Sequence, residues 1–279
     1  LALRWLAGAL LLLLPLTAAG ERRAQAALVA ALKGTPAVGL VVALDSGERI
    51  AGIGDTAARS APGSLLKPLF LAAALERGSV LPGTTVFCRR RLRLRADDRD
   101  WNLDCTHPQA EVAFTAQDAL AYSCNRYFAD LADRLAPEQT AAILQHYGLV
   151  ASTPQSREQK ELLVLGLTGI LASPAQMAAA YRKLANELKQ EPALKPVRAG
   201  LQDSVTYGMA HAAAIPGANI LGKTGTATDR EHGPSHGWFA GIGSFRNQAV
   251  AVVIYLPRGN GGDAARLGQH FFLATASSQ

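Results

Sequence analysis

The chain has 279 residues, 49% of them apolar and 18% charged, with a formal net charge of +6 at pH 7. That composition excludes a disordered or fibrous polymer and supplies enough apolar surface for a sizeable core. The basic excess is diffuse except at "RRRLRLR", residues 89–95, whose alternation suits a half-exposed strand. Such a strand could face an anionic envelope polymer or acidic lipid; no nucleic-acid motif accompanies it, so nucleic acid is not an expected partner.

Residues 1–19 carry a positive charge at Arg4, then an apolar run, then small residues, the layout of a secretory signal peptide. The expectation is cleavage after Ala19, or retention as an anchor, and an exported protein in the periplasm or on the outer face of the cytoplasmic membrane. The apolar run is short for a bilayer span, which takes about 20 residues. Residues 20–279 are expected to form one domain. "ERRAQAALVAALKG" predicts a helix ended by Gly34, and "VGLVVALDSGERIAGIG" predicts a hairpin turning at Asp45, Ser46 and Gly47.

From Ala61 to about Asn186 the pattern is mostly helical, with a basic hairpin inserted whose turn is "ADDRD". "TAQDALAYSCNRYFADLADRLA" reads as helix on both sides of Ser123, and Ser173 followed by Pro174 caps a further amphipathic helix. "ANILGKTGTATD", "GWFAGIGSF" and "AVAVVIYLP" are runs of strand length, followed by a closing helix. Strands at both ends around a helical middle predict an α+β fold. It would be an antiparallel sheet flanked by N- and C-terminal helices, with a sheet lobe over about 35–60 and 205–279 and a mostly helical lobe over about 61–204.

Export implies an oxidising compartment, and Cys88 and Cys105 flank the basic hairpin, so a disulfide between them is expected, with two free buried thiols as the alternative. Cys124 is left over and reads as a space filler. His232 and His236 are separated by Gly233 and Pro234, which argues against a helical metal pair. No metal site and no cofactor are expected. Trp238 and Phe239 read as sheet packing.

"APGSLLKPLFLAAALERG" places Lys67 in an otherwise apolar helix, three residues after Ser64. The plain reading is a lysine on the wet edge of an amphipathic helix. The chemical reading is a lysine desolvated enough to be neutral, one turn from a serine whose proton it can accept. "SCN" at Ser123, Cys124 and Asn125 supplies a hydroxyl and an amide at a helix break, and "KTG" at Lys223, Thr224 and Gly225 lies in a strand-like run with Thr226 after it.

S-x-x-K, S-x-N and K-T-G in that order resemble the signature of penicillin-binding proteins and serine β-lactamases. "PGSLLKPLF", "LGLTGILASPAQMAAAYRKLAN" and "GKTGTA" followed by "GWFAGIG" extend the resemblance to penicillin-binding transpeptidases from about Val38 to about Leu256. The resemblance implies an acyl-serine DD-peptidase, a transpeptidase or carboxypeptidase acting on D-Ala-D-Ala stem peptides of peptidoglycan and acylated by β-lactams. It implies Ser64 as nucleophile, Lys67 as its base, Ser123 as proton relay and Lys223 as positive charge near Ser123 and the substrate carboxylate. Asn125, Thr224, Gly225 and Thr226 would bind substrate, with the Ser64 and Thr226 N–H groups as oxyanion hole. A glycosyltransferase or another cell-wall protein is the implied partner. A β-lactamase is the competing enzyme. However, "SREQKELLVLG" offers Glu158 and Glu161 without the class A asparagine, and "SCN" and "YGL" depart from the class D pattern. A non-catalytic β-lactam sensor is the remaining alternative.

Overall fold

The computed structural model describes residues 18–228 and 235–276; the leader pattern before residue 18 and His232 lie outside them. Helix α1 (Ala18–Leu32) leads into the hairpin of β1 (Val38–Ala43) and β2 (Arg49–Ile53). Gly34, at φ 77°, supplies the left-handed residue that ends α1. A 3-10 turn at Gly63–Leu66 then runs directly into α2 (Lys67–Glu76). Next come β3 (Val86–Cys88), the arm hairpin of β4 (Arg93–Ala96) and β5 (Arg99–Asn102), and β6 (Val112–Phe114), which pairs with β3. The arm turns at Asp97 and Asp98, both at positive φ, as a two-residue hairpin requires.

The helical part continues with α3 (Ala116–Ala121), α4 (Asn125–Asp133), α5 (Pro137–His146), α6 (Arg157–Val164), α7 (Pro174–Gln190) and α8 (Lys195–Thr206). The chain closes with β7 (Leu221–Thr228), β8 (Ser235–Phe245), β9 (Gln248–Leu256) and α9 (Gly261–Ala276). Ser173 caps α7 as expected, its hydroxyl accepting from Gln176 N while Gln176 returns the bond to Ser173 N.

The main sheet is antiparallel in the order β2-β1-β9-β8-β7 and is covered on both faces. Strand β9 shows how. Val250, Val252 and Ile254 point into a core with α1 and α9 (Leu28, Phe271, Phe272), while Ala251 and Val253 point into the core of the helical side. Trp238 and Phe239 divide the same way and are fully buried, as expected. Helix α2 crosses the helical-side core, buried from Lys67 through Leu75. A helix apolar on every side has no wet edge. Lys67, at 0% exposure, is therefore not the surface lysine that the plain reading supposed.

The basic run differs from expectation. Only Arg93–Ala96 is strand; Arg90 adopts φ 63°, and β3 turns away to pair with β6. Arg89, Arg93 and Arg95 form exposed ion pairs with Glu111, Asp104 and Asp100, so local acids answer much of the arm's charge.

Candidate active site

The first wall of the site is the 3-10 turn that carries Ser64. Gly63, at φ 54°, brings this turn against β7: a side chain there would come within 2.7 Å of Thr226 O. Gly225 meets it from the strand, because a Cβ at 225 would strike Pro62 O. The glycine of K-T-G is thus the close approach between the Ser64 turn and the strand, a packing reason beside the substrate-binding role that the resemblance implies. The turn is held from three further sides. His236 Nε2 and Trp238 Nε1 both donate to Ala61 O, at 2.9 and 3.0 Å. Tyr181 OH donates to Leu65 O at 2.9 Å, and Gly63 N donates to Gly166 O at 2.9 Å. Sequence reasoning missed Tyr181, His236 and Gly166 as positioning residues; "HGWF" beside the K-T-G strand was the available signal.

The second wall is the break between α3 and α4. Ser123 N donates to Leu120 O and Cys124 N to Ala119 O, at 3.2 and 2.8 Å. That pair of bonds is the Schellman closure of α3, whose left-handed position normally holds glycine. Here it holds Ser123, at φ 54°. A left-handed serine costs on the order of 1 kcal/mol and is expected where the hydroxyl has a task. The third wall is β7, where alternation puts Lys223 and Gly225 on the side facing the other two walls.

These walls bring four of the predicted residues together: Lys67 and Lys223 meet at Ser123 Oγ, and Asn125 meets Lys67. Lys223 Nζ donates to Ser123 Oγ at 2.8 Å and to Thr224 O at 3.0 Å. Lys67 Nζ donates to the same Ser123 Oγ at 3.1 Å, to Ser123 O at 2.7 Å and to Asn125 Oδ1 at 2.6 Å. Asn125 Nδ2 in turn donates to Leu103 O at 2.9 Å, tying the site to the arm. Thr224 is buried and Thr226 exposed on the outer strand β7; Thr226 Oγ accepts Gly261 N at 2.9 Å, which keeps its own hydrogen available.

Both lysines are fully buried, and among the described residues neither forms an ion pair. Burial lowers Lys67 to about 8. Burial also drives Lys223 well below its usual value, and the Lys67 charge adds to the effect. Glu161 makes none of these bonds. It is buried, pairs with Arg157 Nε at 3.0 Å, and lines a cavity with Arg93, Arg126 and Asp133 that includes none of the predicted site residues.

One sequence expectation needs correction. Cys88 and Cys105 are brought together, but as free thiols with sulfurs 3.7 Å apart, well beyond the roughly 2.05 Å of a disulfide. The arm's ends do converge; the backbone delivers a third sulfur and an imidazole to the same place. Cys124 Sγ lies 3.8 Å from Cys105 Sγ and His107 Nε2 lies 3.3 Å from Cys88 Sγ, so the chain assembles a buried four-donor cluster where no metal site was expected. Sequence reasoning missed His107, whose place two residues after Cys105 was the only signal.

An antiparallel sheet between terminal helices, with a helical side presenting serine and lysine to its edge strand, defines the β-lactamase-like α+β class. The model of the penicillin binding protein transpeptidase domain matches residues 53–272. The chain belongs to the penicillin-binding protein transpeptidase family. Among solved structures it is similar to PBP2 of Pseudomonas aeruginosa in complex with WCK 5153, with TM-score 0.77, 20% identity, and 91% of this chain and 74% of that chain covered. It is also similar to the transpeptidase domain of Burkholderia pseudomallei penicillin-binding protein 3, with TM-score 0.75, 19% identity, and 94% and 93% covered. A third likeness is to a chain of a peptidoglycan synthase complex that coordinates polymerization and crosslinking, with TM-score 0.71, 17% identity, and 93% and 61% covered. No curated protein matches.

Proposed function

We propose that the chain is an exported acyl-serine DD-peptidase that cleaves and transfers the D-Ala-D-Ala end of peptidoglycan stem peptides and is acylated by β-lactams. The observation that carries this reading is Ser123 Oγ held between two buried lysine amines, 3.1 and 2.8 Å away. As an ammonium, Lys67 directs its three donors at Ser123 and Asn125. Loss of one proton leaves two donors to keep it in place and frees a lone pair for the Ser64 hydroxyl. Ser64 Oγ then bonds to the scissile carbonyl carbon, and the Ser64 and Thr226 N–H groups receive the oxyanion. The C–N bond breaks as Ser123 passes a proton to the departing amine, or to the ring nitrogen of a β-lactam. An amine of a second stem peptide, or water, releases the acyl group and restores Ser64.

Two uncompensated buried amines call for an anionic ligand, which a terminal carboxylate supplies. The outer edge of β7 offers unpaired backbone groups to an extended peptide. A cavity of about 610 Å³ lined by Ser60, Ala61, Leu167, Leu171 and Thr228 opens beside that strand, of a size for a stem peptide. The leader pattern at the start of the chain supports export, and a glycosyltransferase is the partner that would supply glycan strands. Fluorescent penicillin tests the reading. The chain should take one label, Ser64→Ala none, and the adduct should persist for minutes, because the Glu161 carboxylate is engaged by Arg157 rather than free to activate water. Fast turnover of benzylpenicillin, about 10 per second, would replace this reading by a β-lactamase.

A further inference from the structure

Cys88, Cys105, His107 and Cys124 come from three separate stretches of chain: the end of β3, the loop after β5, and the residue that opens α4. All four are buried, and their donor atoms lie within 4.8 Å of one another. Tetrahedral zinc with Zn–S near 2.3 Å and Zn–N near 2.05 Å requires S···S separations of about 3.8 Å and S···N separations of about 3.6 Å. The observed separations are 3.7 and 3.8 Å between sulfurs and 3.3 Å from Cys88 Sγ to His107 Nε2. A disulfide would use two sulfurs and strand the third with the imidazole.

The surroundings fit a ligand cluster. Cys88 Sγ accepts the backbone N–H of Arg90 at 3.3 Å. The left-handed Arg90 is what aims its N–H at Cys88. His107 has 0% exposure and stands edge-on to Phe114, ring centroids 4.6 Å apart; its Nε2 faces the sulfurs and its Nδ1 has no protein partner. A fully buried imidazole whose polar contact is a sulfur is poorly satisfied unless that nitrogen binds something.

We propose that Cys88, Cys105, Cys124 and His107 Nε2 bind one zinc ion as a closed structural site. Three sulfurs and one nitrogen in a tetrahedron favour zinc over magnesium, calcium or manganese, and four protein donors leave no position for substrate. Binding displaces the thiol protons to solvent and changes no oxidation state. Cys124 sits between Ser123 and Asn125, and Asn125 also holds Leu103 O of the arm. The ion would therefore fix the left-handed Ser123 turn against the arm: its ligands are positioning residues for the site.

The test uses the full chain purified without chelator. Elemental analysis should give about one zinc per chain. Cobalt substitution should produce the visible absorption of tetrahedral cobalt thiolate. All three thiols should resist alkylation until a chelator is added, and the melting temperature should fall with metal removal. Cys88→Ser and His107→Ala should lower zinc affinity by more than about 100-fold, the upper range for merely losing a supporting partner. If those variants fail to fold, Cys88→His, which preserves four donors, should still bind one ion. With the ion removed, the penicillin acylation rate should fall and recover on adding zinc. Protein with three alkylatable thiols and no zinc, or a disulfide among the three in material from an oxidising medium, overturns the proposal.

Discussion

Acylation should draw protons into the site. In the unliganded protein two buried amines face each other across Ser123 without a carboxylate, and burial has lowered Lys67 to about 8 and Lys223 well below its usual value. Opening benzylpenicillin on Ser64 moves the serine proton to the ring nitrogen, so the chemistry itself releases none. It does leave the ligand carboxylate beside the amines. A unit charge at about 4 Å, with an effective dielectric constant of about 20, is worth about 4 kcal/mol, or about 3 pK units upward for an amine. At pH 8 Lys67 is half protonated in the free protein. Charging it fully takes up about half a proton, and Lys223 adds up to one more. Calorimetry of acylation at pH 8 in two buffers of different ionisation enthalpy measures the uptake directly. The expected value lies between about 0.5 and 1.5 protons per chain, with Ser64→Ala as blank. Complete acylation with no uptake would refute the idea that the carboxylate compensates these lysines.

Lys67 must be neutral to act as base, so acylation should rise with pH: about one-tenth of its plateau at pH 7, half near pH 8 and about nine-tenths at pH 9. A flat profile over that interval would remove Lys67 from the step. Gly166 sits at φ 74°, and a Cβ there would strike the Gly63 carbonyl. Gly166→Ala should cost about 2 kcal/mol or more by chemical denaturation and slow acylation at least tenfold, with an unchanged rate counting against the buttress. Tyr181→Phe removes the donor to buried Leu65 O and should cost about 1–2 kcal/mol of stability, read by the same denaturation curve.

The fold was legible wherever periodicity and punctuation agree. The three C-terminal runs become β7, β8 and β9, and the Ser173–Pro174 start of α7 was visible because local bonds set it. The basic run misled because alternation alone cannot say where a strand ends: Arg90 turns left-handed and Arg93 begins the pairing. In the site, Ser64, Lys67, Ser123, Asn125 and Lys223 were named by motif, and four of them, Lys67, Ser123, Asn125 and Lys223, are linked by hydrogen bonds. What remained hidden are contacts made by backbone atoms far apart in sequence. Gly166 O, Ala61 O and Leu65 O carry no residue-type signature, so their partners Gly63, Trp238 and Tyr181 looked like ordinary core. The cysteine pairing went astray for the same reason, since Cys124 and His107 reach Cys88 and Cys105 only through the tertiary fold.

The indole of Trp238 has an optical consequence. It is fully buried, donates to Ala61 O three residues before Ser64, and lies 4.5 Å from the Tyr255 ring. Among the described residues the other indole, Trp101, sits on the arm under the Arg99 guanidinium, 4.1 Å from its ring. The emission of Trp238 is therefore sensitive to the hydrogen bond that holds the Ser64 turn, whereas Trp101 reports on the arm. The unlabelled protein carries its own fluorophore for each side of the cleft, and a variant with both Trp5 and Trp101 changed to Phe would leave a signal from the turn alone, to be read in a stopped-flow trace of the proposed acylation.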